Sequence, residues 1–451
     1  MKNLLKETAE RSFRYIESLK NRSVSPLSEA IHNLSQFEES LPEESVNPQK
    51  ILELLDNIGS PATVASAGGR YFGFVVGGSL PATVAANWLA CAWDQNDGMR
   101  VLSPVAVALE QICLQWLIDI FSLPPGSWGG FVSGATMANF TALAAARHAI
   151  LNKHGWNVES RGLFGAPPPT VVVGDEVHVS VLKALSMLGF GNERVIRVPV
   201  DHQGRMRVDA LPDLDNSTII CIQAGNVSTG AFDPAREICQ AARHADAWVH
   251  VDGAFGLWAA AAPQRAYLYS GVEAADSWAT DAHKWLNVPY DCGIVFCRKP
   301  ENLKAAMSTS AAYLVEGDNG EPHHYVPEMS RRARSVEVWA ALKSLGKKGL
   351  ADLIERTCRY AARFASGLSE AGYRVLNEVV INQVLVSFGE PESTQRIIEG
   401  VQADGTCWCG GTQWQGHTAM RISVSSWATS DADVERSLEA ILRIAAQETK
   451  S

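Results

Sequence analysis

Short apolar runs alternate with helical segments between residues 77 and 335, and this pattern constrains the fold more than any other feature. The runs are rich in β-branched residues and are apolar throughout, not only at every second position. Strands of that kind are covered on both faces, which is typical of a mostly parallel sheet between helix layers. The predicted strands are 130–133, 170–174, 195–198, 218–222, 248–251 and 293–296.

Two regions flank this α/β segment. Amphipathic helical patterns fill the chain before it, and a helix-then-strand pattern follows it, with helices predicted at 336–345 and 353–368. We therefore expect an N-terminal helical arm at 1–76, a large domain at 77–335 and a small α+β domain at 336–451.

Composition excludes several classes of protein. The 451 residues carry a net charge of −10, which argues against a nucleic-acid or anionic-membrane partner. The nine cysteines are mostly scattered, and the spacing of Cys407 and Cys409 is neither a zinc knuckle nor a CxxC pair. The N-terminus lacks the uninterrupted apolar core of a signal peptide. We expect a cytoplasmic protein with reduced thiols, no metal site and no membrane span.

An acid and a lysine stand at informative positions. Asp252 ends the apolar run 248–251, and Lys284 follows 284 − 252 = 32 residues later, beside His283. That separation accommodates one crossover and the next strand. In pyridoxal phosphate (PLP) enzymes a lysine forms a Schiff base with the cofactor and an acid holds the pyridine nitrogen protonated. The alternative is a buried strand-end carboxylate and an ordinary surface His-Lys pair.

A turn of small residues suggests where a phosphate would bind. Residues 133–139 follow a predicted strand and open the helix that continues to Ile150. Small side chains there allow backbone N–H groups and the helix dipole to contact a phosphate, with Ala135 and Thr136 as the candidates. The same strand–glycine–helix turn also occurs in proteins that bind no phosphate.

Two further strand ends carry polar candidates. His178 follows strand 170–174, and the carboxyl ends of strands in doubly wound sheets face the ligand crevice. A helix-capping or core histidine is the alternative. After strand 218–222, Ser228 or Thr229 could hydrogen-bond a cofactor oxygen, or could belong to a polar loop without that role.

These segments, in this order, resemble the group II PLP-dependent amino-acid decarboxylases, whose members act on aromatic amino acids, glutamate, histidine and diaminobutyrate. The resemblance extends from about Tyr71 to Trp427. It implies the PLP-dependent transferase fold, also called fold type I, and PLP as the cofactor. In that family the N-terminal helices wrap the partner subunit, which implies a homodimer.

The resemblance also implies individual roles. His178 would stack on the pyridine ring and reach toward the substrate carboxylate, and Ala254 would face the ring from the other side. His283 would contact the phosphate, and Asp281 stands near the same group where some members carry asparagine. Lys284 would carry the cofactor.

Arginines near the end of the large domain allow two interpretations. The segment Ser330–Arg334 contains Arg331, Arg332 and Arg334, and it resembles the segment that follows the family's mobile catalytic loop. A solvated helix start is the alternative. Arg421 is a candidate for holding a carboxylate, or equally a member of a structural ion pair.

The catalytic loop departs from the family pattern. Aromatic amino-acid decarboxylases carry a loop tyrosine that protonates the carbanion after carbon dioxide leaves. Counting back from Arg331, this chain has Pro322 instead, followed by His323, His324 and Tyr325. We expect a mobile segment between 313 and 329 in which His324 or Tyr325, or else His323, has taken over protonation, with Tyr313 as the next candidate. An altered final protonation is the alternative.

The sequence therefore predicts PLP-dependent decarboxylation of an L-amino acid to the amine through Lys284. A PLP-dependent carbon–carbon lyase, aldehyde synthase or aminotransferase is the first alternative. A non-catalytic binding protein with the same fold is the second. The sequence does not identify the amino acid.

Overall fold

The computed structural model describes residues 1–309 and 320–448. They form two compact units. Unit one contains Met1–Gly78, Ala362–Leu376 and the described part of 384–451, and unit two contains the described part of 79–361 together with Asn377–Gln383.

Helices occur in both units. The α-helices are α1 (Lys2–Ser18), α2 (Ser28–His32), α3 (Pro48–Leu54), α4 (Ser60–Ala62), α5 (Pro81–Trp93), α6 (Pro104–Ile120), α7 (Ala135–Lys153), α8 (Val158–Arg161), α9 (Val179–Met187), α10 (Ala235–His244), α11 (Pro300–Met307), α12 (Ser335–Glu370), α13 (Pro391–Asp404) and α14 (Asp431–Glu448). Short 3-10 segments lie at Asn33–Phe37, Asn192–Arg194, Val208–Ala210, Gly256–Ala261, Pro263–Tyr269, Val272–Ala274 and Pro322–His324, and a π-turn lies at Leu55–Gly59. Gly346, with φ of 60°, interrupts α12 between the two helices predicted there. Within the described ranges no helix is both long enough and apolar enough to cross a bilayer.

Strands form one sheet of seven and one of four. They are β1 (Trp128–Val132), β2 (Thr170–Gly174), β3 (Ile196–Val198), β4 (Thr218–Gln223), β5 (Trp248–Asp252), β6 (Ser277–Asp281), β7 (Gly293–Cys297), β8 (Arg374–Val375), β9 (Gln383–Ser387), β10 (Gly410–Trp414) and β11 (His417–Ser423).

The large sheet has the order β1-β7-β6-β5-β4-β2-β3. Strands β3, β2, β4, β5 and β6 are parallel, and β7 is antiparallel to both β6 and β1. This arrangement confirms the predicted mostly parallel sheet, and all six predicted strands are present. The carboxyl ends of β2, β4, β5 and β6 therefore meet at one edge.

Strand β6 was not predicted, because three of its five residues are polar. All five are nevertheless buried. The hydroxyl of Ser277 accepts a hydrogen bond from Trp248 Nε1 and contacts His250 Nδ1 on the neighbouring strand. Cross-strand partners thus satisfy polar groups whose burial would otherwise be costly.

Helix α7 packs along this sheet through small side chains. Ala138, Ala142 and Ala145 are fully buried in a core cluster that also contains Val171 of β2 and Ile219 of β4. Alanines allow a helix axis to lie close to a sheet. The N-terminus of α7 therefore stands at the same edge as the carboxyl ends of the strands.

Unit one contains the four-stranded sheet, in the order β10-β11-β9-β8. Strands β10 and β11 form an antiparallel hairpin, and α13 packs on β11 and α14. The ring of Trp408, just before β10, stacks on Tyr71 at a centroid distance of 5.1 Å.

Candidate active site

The site is built on the ends of two neighbouring strands. β5 ends at Asp252 and β6 ends at Asp281, and both carboxyl side chains are buried. Ala254 links the two ends, because its N–H donates to Asp252 Oδ1 (3.2 Å) and its carbonyl accepts from Asp281 N (2.8 Å). The sheet thus brings two predicted acids to one edge.

Asp281 is the centre of the first cluster. Its Oδ1 accepts a hydrogen bond from Ala135 N at the start of α7 (2.6 Å), and its Oδ2 lies 3.1 Å from Lys284 Nζ. His283 Nε2 is 3.7 Å from the same oxygen. A helix N-terminus favours an anion, and here the carboxylate supplies it. Ala135, His283 and Lys284, predicted from separate motifs, therefore meet around one side chain.

The segment that carries Lys284 is held by buried contacts. Trp258 Nε1 donates to the carbonyl of Asp281 (2.9 Å), and Trp285 Nε1 donates to the hydroxyl of Thr357 (2.9 Å). Cys292 N donates to His283 Nδ1 (3.1 Å), so that Nδ1 carries no proton. Burial lowers the pKa of His283 against the opposing charge of Asp281. The lysine therefore extends from a fixed backbone.

One glycine allows this close packing. A Cβ on Gly293 would lie 2.4 Å from the carbonyl carbon of Gly134, so only glycine fits at the start of β7. A Cβ on Gly134 would make ordinary contacts, 3.4 Å from His283 Cε1 and 3.5 Å from Asp281 Oδ1. Gly293 therefore allows the turn before α7 to lie against the start of β7.

Asp252 is held by uncharged donors. Asn139 Nδ2, one turn into α7, donates to Asp252 Oδ2 (3.2 Å), while Ala254 N occupies the other oxygen. The carboxylate is only 4% exposed. Its partners fix its orientation without neutralising its charge, so it remains able to pair with a cation.

His178 is the N-cap residue of α9. Its Nδ1 accepts from Ser180 N (3.2 Å) and lies 2.7 Å from Ser180 Oγ. The capping alternative from the sequence is therefore correct as a local description. This capping contact is made through the Nδ1 atom of the ring.

Other predicted cofactor contacts differ in their support. Thr136 is half-buried at the second position of α7. The Thr229 hydroxyl donates its only proton to the carbonyl of Gln203 (2.7 Å) and accepts from Ala231 N. Thr229 could donate to a cofactor oxygen only by breaking the first bond, and its role as a cofactor contact stays a prediction. Ser228 is buried in the same turn.

Arg331 does not lie on a solvated face, so that alternative is wrong for this residue. Its side chain is 1% exposed and lies 2.5 Å from Glu110 Oε2 and 3.4 Å from Asp97 Oδ2. It also donates to the carbonyl oxygens of Asp97 and Phe131. Burial and the neighbouring Glu110 raise the pKa of Asp97 to about 9.

Two more arginines of the segment are also paired. Arg334 Nε and Nη2 each lie 3.2 Å from the carboxylate of Asp291, and Arg334 is buried. Arg332 is more exposed and donates to Glu337. The segment therefore ties 331–334 to several elements of unit two.

The predicted loop residues lie beside α11. His323 is buried, with Nδ1 3.0 Å from the carbonyl of Gly98, and the Ser308 hydroxyl donates to the carbonyl of His324 (3.5 Å). Tyr325 is half-buried against the core cluster that includes Leu303 and Val326. Tyr313 and the following residues to 319 of the predicted mobile stretch lie outside the described residues. The protonating roles of His324 and Tyr325 stay predictions.

Arg421 lies in unit one, on β11 opposite Gly410. Burial lowers its pKa, while Tyr71 has the opposite effect. Its role as a carboxylate-binding residue stays a prediction. Throughout the described ranges no cluster of histidine, cysteine and acidic side chains could hold a metal ion.

Sequence reasoning assigned no role to Asn139, Ser180 or His250, which connect the predicted residues. Asn139 lies four positions after Ala135 and so on the same helix face, and His250 lies two positions before Asp252 and so on the same strand face. Those spacings were a usable signal. The contacts themselves join positions 113 and 111 residues apart and could not be derived from local pattern.

The donor set fits PLP. A helix N-terminus already holds an anionic oxygen at Ala135 N, and His283 adds a ring nitrogen near it. Lys284 supplies a primary amine, and Asp252 supplies a fixed carboxylate for the pyridinium. One feature opposes the phosphate, because the charge of Asp281 lies in the same cluster.

Comparison with known proteins agrees with this geometry. The model of the pyridoxal-dependent decarboxylase conserved domain matches residues 31–389. The aromatic-L-amino-acid decarboxylase of Bacillus atrophaeus is 28% identical over 374 residues, which cover 79% of this chain and 75% of that protein. The phenylacetaldehyde synthase of Petunia hybrida is 26% identical over 376 residues, covering 75% and 72%.

A solved structure shows the same fold. The crystal structure of Oryza sativa TDC with PLP and tryptamine has a TM-score of 0.92 at 21% identity, covering 99% of this chain and 97% of that one. The chain belongs to the pyridoxal-dependent decarboxylase family. It is a PLP-dependent carboxy-lyase of amino-acid metabolism with the fold type I architecture, which confirms the predicted family, fold and cofactor.

Proposed function

We propose that this enzyme decarboxylates an aromatic L-amino acid to the corresponding amine. The cluster formed by Lys284, Asp281, Asp252 and His178 at one sheet edge is the observation that carries the proposal. The aromatic class is inferred from the Bacillus atrophaeus relative.

Each residue has a proposed role. Lys284 holds the cofactor through its amine, and Asp252 holds the pyridine nitrogen. Ala135 N, Thr136 and His283 hold the phosphate, with Asp281 beside them. His178 and Ala254 lie against the two ring faces, and Thr229 remains a candidate contact to the phenolic oxygen.

The bound cofactor supplies an electron sink for the pair released when the bond to the carboxylate breaks. The protein orients that bond and controls protons. Asp252, whose carboxylate is held by Asn139 and Ala254 N, presents a negative charge that favours a protonated ring nitrogen. Lys284 and a group from the 320–325 region would handle the protons of the substrate amine and Cα.

We also propose that the working enzyme is a cytoplasmic homodimer. Helix α1 exposes Leu5, Phe13 and Ile16, and α3 exposes Ile51, an apolar surface that a second subunit would cover. Analytical ultracentrifugation at assay concentration tests this. We expect a dimer, and an active monomer would contradict the proposal.

A substrate screen tests the activity. Purified holoenzyme should release carbon dioxide and the matching amine from L-tryptophan, L-tyrosine, L-phenylalanine or L-DOPA. L-Glutamate and L-aspartate should react much more slowly. Amine formation from only the acidic amino acids would overturn the aromatic assignment while leaving the carboxy-lyase class intact.

An aldehyde synthase is the second candidate. Pro322 stands where the family tyrosine was expected, and the Petunia hybrida relative is a phenylacetaldehyde synthase. Balancing aldehyde formation requires an oxidant, so dissolved oxygen would be consumed as aldehyde and ammonia appear.

Substitution of the loop residues separates the two outcomes. His323→Asn, His324→Asn and Tyr325→Phe should each leave PLP binding intact, and the variant that removes the true acid should divert product from amine to aldehyde. If all three variants form amine at the normal rate, protonation belongs to another group, with Tyr313 tested next.

A further inference from the structure

Asn139 connects Asp252 with Ser180, the residue that contacts His178 in the proposed cofactor site. It is fully buried in α7, and its side-chain nitrogen donates to both Asp252 Oδ2 and Ser180 Oγ, each at 3.2 Å. Its side-chain oxygen lies 2.9 Å from His250 Nε2. The amide therefore contacts three residues on two elements besides its own helix, Asp252 and His250 on β5 and Ser180 on α9.

The direction of these bonds follows from Asp252. A carboxylate oxygen accepts, so the amide nitrogen of Asn139 must face it and the amide oxygen must face His250. His250 Nε2 then donates, and its Nδ1 accepts from the Ser277 hydroxyl (2.9 Å), whose oxygen accepts from Trp248 Nε1 (3.0 Å). Burial lowers the pKa of His250 to about 4, in agreement with a neutral ring.

Ser180 connects Asn139 to His178 through its backbone N–H and its hydroxyl, both of which contact His178 Nδ1. The backbone N–H of Ser180 can only donate, so His178 Nδ1 carries no proton and the proton of the neutral ring is on Nε2. Ser180 Oγ accepts from Asn139, which leaves its own proton to point at His178 Nδ1 (2.7 Å).

We propose that Asn139 is a positioning residue that orients the Asp252 carboxylate and, by directing the Ser180 hydroxyl proton at His178 Nδ1, reinforces the Nε2–H tautomer that the Ser180 backbone N–H already favours. The proposal rests on the proposed roles of Asp252 and His178. It extends those roles, because Asp252, which is proposed to hold the ring nitrogen, and His178, which is proposed to lie on the ring face, are then oriented by the same residue. Second-sphere partners of this kind fix tautomers and ring orientation.

Asn139→Asp replaces the donating side-chain nitrogen of Asn139 with an accepting oxygen, while the side chain keeps almost the same shape. A carboxylate at this position accepts the Ser180 hydroxyl proton, so that Ser180 Oγ turns a lone pair toward His178 Nδ1. This contact of 2.7 Å is shorter than that of the opposing Ser180 backbone N–H (3.2 Å), so it favours a proton on Nδ1. It also sets a second negative charge against Asp252. Ser180→Ala removes only the link to His178, and Ser180→Thr restores the hydroxyl.

The tautomer is read by NMR of ¹⁵N-histidine-labelled full-length protein, with and without PLP, at one pH. The His178 signal is assigned by its loss in His178→Gln. We expect a proton-free Nδ1 in the wild type and in Ser180→Thr, and a protonated Nδ1 in Asn139→Asp. Thr141→Val, which removes another buried hydroxyl of α7, is the matched control and should keep the wild-type signal.

Kinetics provide the second measurement. Loss of an outer hydrogen-bond partner typically lowers affinity or activity by about 10–100-fold. We therefore expect kcat to fall about 10-fold in Ser180→Ala and about 100-fold in Asn139→Asp. An unchanged His178 signal together with kcat within twofold of wild type in both variants would overturn the proposal. Ser180→Ala, a mild substitution, keeps the test valid if Asn139→Asp does not fold.

Failure of the proposed function gives a different result. Near-normal turnover in Asp252→Ala and His178→Gln would remove the roles of those residues. The NMR signature in cofactor-free protein does not depend on turnover and would still report whether Asn139 reinforces the tautomer.

Discussion

Two buried polar networks of unit two are built on different physical principles. The network around Asn139 joins Asp252, Ser180 and His250 through hydrogen bonds from uncharged donors. The network under the arginine segment joins Arg331 to Asp97 and Glu110 as an ion cluster with two acids and one cation. Both are almost inaccessible to solvent.

The difference corresponds to what each network has to hold. Uncharged donors orient Asp252 and leave its negative charge for a cationic ligand. The ion cluster has no net charge available for a ligand. The charges of Glu110 and Arg331 cancel, and burial raises the pKa of Asp97 so that it keeps its proton. We infer that the first network serves binding and chemistry, whereas the second anchors the chain after residue 320.

The largest effect is expected from Lys284→Ala. Within the described ranges no other lysine pairs with Asp281, so turnover and the visible absorption of bound cofactor should both disappear. Spectrophotometry and a carbon dioxide assay measure the two quantities. Lys347→Ala, which removes an exposed lysine, is the control and should behave as wild type. Borohydride labelling of a different lysine would refute the assignment.

The ion cluster should respond in stability. Arg331→Met leaves two buried acids without a cation, which typically costs about 3–5 kcal/mol. Urea unfolding measures the loss, and Arg396→Met, at an exposed ion pair, should change little. The double variant Arg331→Met/Glu110→Gln should recover much of the stability. A single variant as stable as wild type would show that the cluster is not an anchor.

The strand ends were predictable, and the networks behind them were not. Asp252 ends a predicted strand and His178 follows another, and parallel strands present their carboxyl ends at one edge, so local pattern was sufficient to group these two residues. Asp281 was named from the family resemblance of the segment that carries Lys284. The bond between Asn139 and Asp252 spans 113 residues, and that between Arg331 and Asp97 spans 234.

Two errors have the same physical origin. Strand β6 was missed because polar residues suggested exposure, although Ser277 is satisfied by neighbours on β5. Arg331 was compatible with a solvated face because a charge is usually exposed, and only the long-range partners make its burial tolerable. Burial of polar groups depends on tertiary partners, which local sequence does not display.

The Asp97 proton should give the ion cluster a pH-dependent stability. The pKa of Asp97 is raised to about 9, while the unfolded chain titrates near its ordinary value. Between those values the folded state binds the additional proton, so this contribution to stability falls as pH rises.

Asp97→Asn should remove this slope. The free energy of unfolding of the variant, measured with urea from pH 6 to 9, should therefore improve relative to wild type as pH rises. Asp119→Asn, at an exposed acid, should parallel wild type. Parallel curves for Asp97→Asn would show that Asp97 is already ionised in the folded protein.

The smallest effect is expected at Asp281, the one site carboxylate held by a cation. Its charge pairs with Lys284 and lies at the α7 N-terminus where the phosphate is proposed to bind. Asp281→Asn keeps an oxygen for Ala135 N but removes both the ion pair and the repulsion of phosphate. PLP should therefore bind the cofactor-free variant several-fold more tightly, by about 1 kcal/mol in a partly screened site.

Fluorescence titration of the full-length protein with PLP measures that affinity. Asp276→Asn is the matched control, because Asp276 precedes the opposite end of β6 and accepts a hydrogen bond from Val249 N. Its substitution should leave the affinity unchanged. Weaker binding by Asp281→Asn would mean that the carboxylate helps to hold the cofactor. Asp252 and Asp281 would then both help to hold the cofactor. A carboxylate held by a cation would in that case serve only as a structural anchor in the Arg331 cluster, and not at Asp281.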